Sequence, residues 1–171
     1  GIINIIQYYT KTYTFNSNEE LKDVVKLWYE NKEEFIKKYG HISDWDTSRV
    51  TDMSYLFGDM QSFNEDISRW DTGNVTNMEF MFGGTTSFNQ VISSWYTSKV
   101  INMSGMFYYA RSFNENISSW DTSKVINMSC MFYEANDFNQ DISNWETRLA
   151  EYGDGLFYNC PVLKEYKPVF N

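Results

Sequence analysis

The feature that most constrains this chain is a sequence pattern that recurs every 25 residues. The clearest copy is residues 117–141, ISSWDTSKVINMSCMFYEANDFNQD, and the stretches before and after it are similar. Large apolar residues keep their places in every copy. Two of these series are Ile42, Ile67, Ile92, Ile117 and Ile142, and Trp45, Trp70, Trp95, Trp120 and Trp145. Self-similarity at a fixed period of this size predicts a repeat protein whose copies stack and bury a shared core.

Each copy contains two different local patterns. In the third copy, Met103, Met106, Phe107 and Ala110 have the i, i+3, i+4, i+7 spacing of one face of a short α-helix. Residues typical of a helix N-cap precede this segment in four copies, namely Asp52, Asn77, Asn102 and Asn127. The other half, around the Ile-Ser pair, has β-forming residues without a helical pattern, and it predicts one short parallel strand per coil.

The predicted fold class is therefore α/β, with about five coils that each contain one short parallel strand and one short helix. Residues 42–166 form the repeats, of which four are full and the fifth is degenerate, with Ala150 and Gly153 in place of the usual Val and Met. Residues 167–171 form a C-terminal tail, in which Pro168 blunts the open edge because proline has no N–H to donate.

Residues 1–41 are predicted to form an N-terminal cap on the first coil. The Thr- and Tyr-rich stretch 8–15 predicts a strand. An amphipathic helix is expected from the N-cap Ser17, with Glu20 completing a capping box, to Gly40 at its C-terminal end. Repeat proteins need such caps to cover the apolar end of the array. A separate helix that binds a partner is the alternative for this segment.

Composition excludes several classes of function. The net charge is −9, which argues against binding to nucleic acid or to an anionic membrane surface. No apolar run is long enough for a transmembrane helix, and the first residues lack the basic start of a signal peptide. Cys130 and Cys160 are expected to be buried thiols, with a disulfide as the weaker alternative. No metal-ligand spacing, phosphate loop or cofactor motif is present, and His41 is the only histidine. We therefore expect no enzymatic activity, no metal and no cofactor.

Several repeated positions form rows along the predicted stack. The expected core rows are represented in the second copy by Ile67, Trp70, Val75, Met78, Phe82 and Phe88. The Trp row is either part of that core or an exposed stripe for a glycan or a peptide. The Thr row comprises Thr47, Thr72, Thr97, Thr122 and Thr147. Its hydroxyls either bond to turn backbone or, as a remote alternative, form a flat surface that orders ice. The Asn row Asn64, Asn89, Asn114 and Asn139 is expected to bond backbone within and between copies.

The predicted partner-binding face consists of two neighbouring rows. The first is variable and comprises Asp44, Arg69, Ser94, Ser119 and Asn144. The second is mostly acidic and comprises Asp46, Asp71, Tyr96, Asp121 and Glu146. Because stacked like charges repel, their cost is offset either by bonds to turn backbone or by a basic partner. Charge reversal along the acidic row is expected to abolish partner binding without unfolding the chain.

The repeated pattern WDTSKV-x-NMS-x-MF-x-x-A-x-x-FN-x-x-IS resembles the BspA-like leucine-rich-repeat surface proteins. The resemblance covers residues 41–163, and LWYENKEEFIKKYG before it is similar to the usual leader. It implies a right-handed leucine-rich-repeat-like solenoid and a location at the cell surface or outside the cell. It also implies a module for protein–protein interaction or adhesion, and the alternative is a structural building block of a virion or cell surface. The chain is expected to be monomeric, with end-to-end assembly as an option. Tyr96 and the worn fifth copy depart from the family pattern.

Overall fold

A computed structural model describes residues 12–170. Two α-helices lie at the start of this range, α1 (Asn18–Glu30) and α2 (Lys32–Tyr39). Two single-turn 3-10 helices follow, Ile42–Asp44 and Lys164–Tyr166. The remaining described residues form turns, extended segments and five isolated parallel β-bridges. The repeats are numbered 1 to 5 in chain order and comprise residues 42–66, 67–91, 92–116, 117–141 and 142–166.

The helix predicted from Ser17 to Gly40 is divided in two at Asn31. Asn31 has a φ of −149°, which is outside the helical region, and its N–H donates to Leu27 O at 3.0 Å to end α1. The apolar face of α1 is buried through Leu21, Val24, Val25 and Trp28, whereas α2 has no buried residue. The first helix is therefore held by packing, and the second lies largely on the surface.

Ser17 is the N-cap of α1, and its Oγ accepts the Glu20 N–H at 3.1 Å. In a capping box the Glu20 carboxylate would accept the N–H of Ser17. Here it accepts the N–H of Asn16 instead, at 2.8 Å. Tyr13 donates its hydroxyl to the same carboxylate, and this bond raises the pKa of Tyr13 to about 12. Of the strand predicted over residues 8–15, residues 8–11 lie outside the described range. Within it, pairing is limited to one bridge between Thr14 and Asp46.

The prediction of an α/β, right-handed leucine-rich-repeat-like solenoid, with a strand and a helix in each coil, is wrong. No repeat among residues 12–170 contains an α-helix, and no sheet is present there. The segment predicted as helical, for example residues 53–60, is instead a chain of turns. Its bonds run from Leu56 N to Met53 O and from Gly58 N to Tyr55 O, three residues back rather than four.

The turns do not extend into a helix because each repeat has two residues in the left-handed region of φ. In repeat 1 these are Tyr55, with a φ of 58°, and Asp59, with a φ of 60°. The same two positions have positive φ in all five repeats, whichever residue occupies them: Tyr55 and Asp59, Phe80 and Gly84, Gly105 and Tyr109, Cys130 and Glu134, Gly155 and Asn159. A left-handed residue interrupts right-handed winding and costs a non-glycine residue roughly 1–2 kcal/mol.

The backbone groups not used inside these turns bond to the next repeat. In repeat 1, the N–H groups of Met53, Tyr55, Phe57 and Asp59 donate to carbonyls 24 residues later, at 2.7–2.9 Å. Every junction between consecutive repeats has the same four bonds. A backbone bond contributes about 1 kcal/mol net, so this ladder joins the repeats and offsets the cost of the left-handed residues.

The strand predicted around the Ile-Ser pair is also absent. The parallel bridges between repeats lie elsewhere. They join the four residues predicted as N-caps to one another and to Tyr152, the equivalent residue of repeat 5: Asp52 to Asn77, Asn77 to Asn102, Asn102 to Asn127 and Asn127 to Tyr152. Around Ile67 the repeats are joined by side chains rather than by backbone. Thr47 Oγ1 donates to Asp71 O at 2.9 Å, and Trp70 Nε1 donates to Ile42 O at 2.8 Å. Side-chain donors thus take the place of a strand ladder there, and no backbone bridge joins these residues.

Stacked aromatic rings fill the interior between the turn segments, which are joined by backbone bonds, and the segments around Ile67, which are joined by side chains. Phe82 stacks on Phe88 within repeat 2 at 3.9 Å, and on Phe107 of the next repeat at 5.7 Å. Trp95 and Trp120 lie 6.4 Å apart with ring planes within 3°. The side chains of Ile67, Val75, Met78, Phe82 and Phe88 are fully buried, and that of Trp70 is 3% exposed.

The α1 segment occupies the edge of repeat 1 where a preceding repeat would lie. Elsewhere, Thr76 N donates to Thr51 O, one repeat earlier. In repeat 1 the acceptor is a side chain: Asn18 Oδ1 receives the N–H of Thr51 at 2.9 Å and that of Asp52 at 3.1 Å. Lys22 Nζ reaches Asp52 and Ser54 at 3.1 and 2.9 Å. None of the helices in the described part of the chain is both long and apolar enough to cross a membrane.

Candidate functional site

The variable row of the predicted partner-binding face is engaged in contacts within the chain. Arg69 forms an ion pair with Asp44 across the first junction. Ser94 and Ser119 donate their hydroxyls to Ser68 O and Ser93 O at 2.9 and 2.8 Å. Asn144 Nδ2 donates to Ser118 O at 2.9 Å. Arg69 thus bonds to side chains of the preceding repeat, and Ser94, Ser119 and Asn144 bond to its backbone.

The acidic row of that face is also used locally, in turns. The Asp121 carboxylate accepts the hydroxyl and the N–H of Ser123 at 2.6 and 3.0 Å. These two bonds hold the pKa of Asp121 below its ordinary value of 3.8. Asp46 accepts from Ser48 in the same way and has a lowered pKa for the same reason. Charge reversal at these positions would therefore also remove turn contacts.

The other members of the acidic row form fewer hydrogen bonds within the chain. Asp71 accepts the Gly73 N–H at 2.8 Å, and Glu146 is exposed. Tyr96 is 72% exposed, the most open of the large aromatic side chains among residues 12–170. This face thus presents scattered charges and one exposed ring. A shallow cleft of about 380 Å³ is present at its start, where Asp44, Asp46, Arg69 and Asp71 lie together.

The Trp, Thr and Asn rows link the repeats. Each indole of the Trp row is 3–4% exposed, and from repeat 2 onward its Nε1–H donates to an Ile carbonyl of the preceding repeat. The Thr row is 0–6% exposed, and its hydroxyls donate to carbonyls of the following segment. The Asn64, Asn89 and Asn114 side chains each accept the N–H of the equivalent Asn one repeat later, at 2.9 Å. Neither the Trp row nor the Thr row offers a surface to a glycan or to ice.

A different surface has the features of a binding site, and sequence reasoning missed it. Six aromatic side chains form a continuous row along the turn segments of all five repeats, here called the aromatic band: Tyr55, Phe80, Tyr108, Tyr109, Tyr133 and Tyr158. Tyr55 stacks on Phe80 at 5.3 Å, and Tyr133 on Tyr158 at 4.5 Å. Tyr55 and Tyr158 are 58% and 52% exposed at the two ends, and the four rings between them are half-buried.

The aromatic band shifts from one repeat position to another along its length. In repeats 1 and 2 the ring comes from the first left-handed position, Tyr55 and Phe80, and the position three residues later is glycine. In repeats 3 to 5 this order is reversed, because Gly105, Cys130 and Gly155 precede Tyr108, Tyr133 and Tyr158.

The shift depends on close packing of the Phe80 ring against glycine. A Cβ on Gly105 would lie 2.4 Å from Phe80 Cζ, and one on Gly83 would lie 2.9 Å from Phe80 Cδ1. The Phe80 ring therefore occupies space that a side chain at Gly105 would need. Tyr108, 5.5 Å from Phe80, continues the row.

A cleft of about 420 Å³ lies along the first part of the aromatic band. Its lining includes Tyr55, Phe80 and Tyr108, together with Asp59 and Arg111. The Arg111 guanidinium lies 5.7 Å from the centre of the Tyr109 ring, in cation–π geometry. The chain itself thus shows that a band ring can hold a guanidinium on its face.

Carboxylates outnumber cations beside the aromatic band. Tyr55 donates its hydroxyl to Glu79 at 3.3 Å. Burial and, next, the Glu79 charge raise the pKa of Tyr55 above its ordinary value, so this hydroxyl stays protonated. Asp59 lines the cleft, and Glu134 lies close enough to contribute to the raised pKa of Tyr108, whose main cause is burial. Three carboxylates thus accompany the Arg111 guanidinium, and an adjoining cleft at the Tyr55 end adds Asp23, Lys22 and Lys26. Carboxylates remain in a small excess, which favours a cationic ligand.

No group of three or more His, Cys, Asp or Glu side chains within residues 12–170 is arranged to hold a metal ion. Cys130 and Cys160 are both free. Burial raises the pKa of the Cys160 thiol, which keeps it protonated at neutral pH.

One sequence signal could have revealed the aromatic band. Aligning the repeats places aromatic residues at two positions that alternate with glycine, and two positions three residues apart would lie on one face of the predicted helix. The signal is weak because it has to be followed across two columns of the alignment rather than along one.

Comparison with known proteins places the chain in a family. A family model described as "Mycoplasma protein of unknown function, DUF285" matches residues 14–103 and again residues 91–167. No curated protein and no solved structure matched the chain. The two matched ranges together include α1, α2 and all five repeats, so the chain belongs to the family described as Mycoplasma protein of unknown function, DUF285.

Proposed function

We propose that this chain is a non-enzymatic repeat module that binds a protein partner through the aromatic band, and that the bound segment of the partner is basic. The observation that carries the proposal is the cleft of about 420 Å³, which combines aromatic rings with Asp59 and Arg111 and has Glu79 bonded to the Tyr55 hydroxyl at its wall. Ring faces and carboxylates both attract Lys and Arg side chains, and aromatic residues are enriched where proteins bind each other.

The charge of the chain favours the same partner. The net charge is −9, so the long-range field attracts basic segments and speeds their association. The resemblance to BspA-like surface proteins supports an adhesion role, in which a protein on another surface would be the ligand. The aromatic band gives that role a contact site, whereas the donors of the variable row are already engaged within the chain.

The test uses synthetic peptides of equal length that differ only in a central Arg-Arg, Lys-Lys, Ser-Ser or Glu-Glu pair. Binding is measured by fluorescence anisotropy at low and at physiological salt. We expect affinity to fall in the order Arg, Lys, Ser, Glu, and to weaken as salt is raised. Equal binding of all four peptides would contradict the proposal.

Variants identify the surface that is responsible. Asp59→Asn and Glu79→Gln remove a charge with little change of shape, and each is expected to weaken the Arg peptide about two- to fivefold. Tyr108→Ala removes a ring from the cleft wall and is expected to weaken it more. Tyr96→Ala is the matched control, because Tyr96 is an exposed ring on the other face.

The variants also separate the alternatives. If Tyr96→Ala abolishes binding and Tyr108→Ala does not, the partner uses the face predicted from sequence instead. A neutral oligosaccharide such as chitohexaose is tested alongside the peptides. Binding of the sugar that depends on Tyr108 but not on Asp59 would reassign the aromatic band to carbohydrate.

A further inference from the structure

The aromatic band begins at Tyr55, whose ring is stacked on one side only. Phe80 of repeat 2 covers that side, with the ring centres 5.3 Å apart and the planes within 6°. Further along the band, Tyr133 is covered by Tyr108 of the preceding repeat at 5.1 Å, and Tyr158 by Tyr133 at 4.5 Å. Among residues 12–170, no second ring stacks on Tyr55, which is 58% exposed. The face of the Tyr55 ring opposite Phe80 is therefore open.

That open face borders a cleft of about 530 Å³ between α1 and repeat 1, here called the α1 cleft. Its lining includes Lys22, Lys26 and Tyr29 from α1, and Tyr55 and Met60 from repeat 1. The aliphatic stems of the two lysines add to the apolar surface of the rings and of Met60. The volume lies within the range of sites that hold small ligands. The α1 cleft thus has room for a large side chain beside Tyr55.

The charges of the α1 cleft differ from those beside the aromatic band. Two lysines, Lys22 and Lys26, line it together with two carboxylates, Asp23 and Asp59, so the lining has no net charge. Lys22 already forms an ion pair with Asp52 at 3.1 Å. Lys26 has no ion-pair partner among residues 12–170, so its ammonium group is left to face an occupant. An uncharged group that attracts ammonium complements this cleft.

An aromatic side chain has both properties, because its ring is uncharged and its face attracts cations. The chain itself uses this contact three times. Lys ammonium groups lie over ring centres at 4.7–5.1 Å, in the pairs Lys32 and Trp28, Lys38 and Tyr39, and Lys167 and Phe157. A ring in the α1 cleft would also cover the open face of Tyr55, as one ring covers the next along the band.

We propose that the α1 cleft binds an aromatic side chain of the partner, which stacks on the open face of Tyr55 and lies beneath the Lys26 ammonium. This inference rests on the proposed function, since the same partner segment carries the basic residue that enters the aromatic-band cleft. The two clefts share Tyr55, Gly58 and Asp59 as lining residues, so one segment can lie across both.

The geometry of an extended chain sets the spacing of the two side chains. Residues i and i+2 of an extended segment point to the same side and lie roughly 7 Å apart. That separation is close to one stacking distance of the band, which is 5.3 Å between Tyr55 and Phe80. The partner is therefore a segment with an aromatic residue two positions from a basic one.

The probes are fluorescein-labelled peptides that keep the central Arg-Arg pair and differ at one position, placed two residues before or two residues after it. That position is Phe, cyclohexylalanine, Arg or Ala. Cyclohexylalanine has nearly the shape of Phe but no aromatic face. We expect Phe at one of the two placements to tighten binding about two- to tenfold over Ala, and cyclohexylalanine to gain less. An equal gain from Phe and cyclohexylalanine, or a larger gain from Arg, would overturn the proposal.

Variants locate the ring through the ratio of affinities for the Phe and Ala peptides. Tyr55→Phe keeps the ring and is expected to retain the ratio, whereas Tyr55→Leu removes the ring and should bring the ratio close to one. Lys26→Ala changes an exposed helix residue and is expected to lower the ratio about twofold. The matched control is Lys37→Ala on α2, which should leave the ratio unchanged. A ratio that survives both Tyr55→Leu and Lys26→Ala would refute the assignment.

NMR of the Met60 methyl group gives a second measurement of position. In the complex with the Phe peptide, the ring current is expected to shift this signal, and the Ala peptide should leave it near its free position. An unshifted signal with bound Phe peptide would place the ring outside the α1 cleft.

Failure of this inference differs from failure of the proposed function. If the Arg-Arg peptides bind better than the Glu-Glu peptide but Phe and Ala give equal affinity, the aromatic occupant is wrong and the basic partner stands. If the Arg-Arg and Glu-Glu peptides bind equally, the proposed function is wrong and this inference is overturned with it.

Discussion

Substitution of Gly105 by alanine should reveal how tightly the aromatic band is packed. Gly105 has a φ of +58°, so alanine there costs roughly 1–2 kcal/mol for the left-handed conformation alone. The new Cβ would also lie 2.4–2.6 Å from three atoms of the Phe80 ring. The ring must move, and it then loses its stacking on Tyr55 at 5.3 Å, worth about 0.5–1.5 kcal/mol. We expect Gly105→Ala to lower the free energy of unfolding by about 2–4 kcal/mol.

A double-mutant cycle in urea separates the two causes. In a Phe80→Ala background the ring is absent, so Gly105→Ala should cost only the conformational part, about 1–2 kcal/mol. Gly155→Ala is the matched control, since it has a φ of +68° and faces a sulfur atom at 3.1 Å rather than a ring. If Gly105→Ala has the same cost with and without Phe80, or costs no more than Gly155→Ala, the packing argument is refuted.

Iodide should quench the native fluorescence weakly and the urea-unfolded fluorescence strongly, because all six tryptophans are at most 4% exposed; strong quenching of the native protein would contradict their burial. Lowering the pH below the ordinary Asp value of 3.8 should reduce stability, since a carboxylate with a depressed folded-state pKa stabilises the fold above that value and loses this effect as it is protonated. In Asp121→Asn the urea midpoint should therefore depend less on pH than in the wild type, because the amide oxygen still accepts the Ser123 N–H without titrating; an unchanged pH profile would argue against the carboxylate's role. Asn18→Ala should cost about 1–2 kcal/mol and speed exchange of the Thr51 amide, whereas Asn18→Asp keeps the acceptor and should retain most of the stability; equal losses in the two variants would exclude the capping bond as the cause.

The short-range hydrogen bonds of the repeat were easier to predict than the secondary structure that contains them. Asn102 was predicted as a helix N-cap, and its Oδ1 does accept a backbone N–H, that of Ser104 at 3.0 Å. The bond closes a turn rather than starting a helix. Asx side chains cap both structures with the same short-range contact, so the residue type alone does not distinguish them.

The aromatic band is difficult to recognise from the sequence. Its rings come from three repeat positions, because Tyr109 lies one residue after the position of Tyr108. They form one row only because the Phe80 ring packs on Gly105 and lies next to Tyr108. The predicted face, in contrast, was selected because its residues vary between copies. Variation identifies surface positions, but it does not indicate whether their polar atoms are already bonded, as those of Ser94 and Ser119 are.

The period of 25 residues and the set of side chains that can form an interior follow from the sequence alone, because burial of apolar groups depends on their regular recurrence and not on the detailed backbone path. The pairing of the backbone hydrogen bonds, in contrast, depends on how the repeats pack. The spacing of Met103, Met106 and Phe107 suits a helix, but it equally suits successive turns closed three residues apart. What selects the turns is a neighbouring repeat that accepts the remaining N–H groups, together with left-handed residues that direct those groups toward it. The selection of turns over a helix depends on contacts between repeats, so the sequence pattern within one repeat cannot predict it.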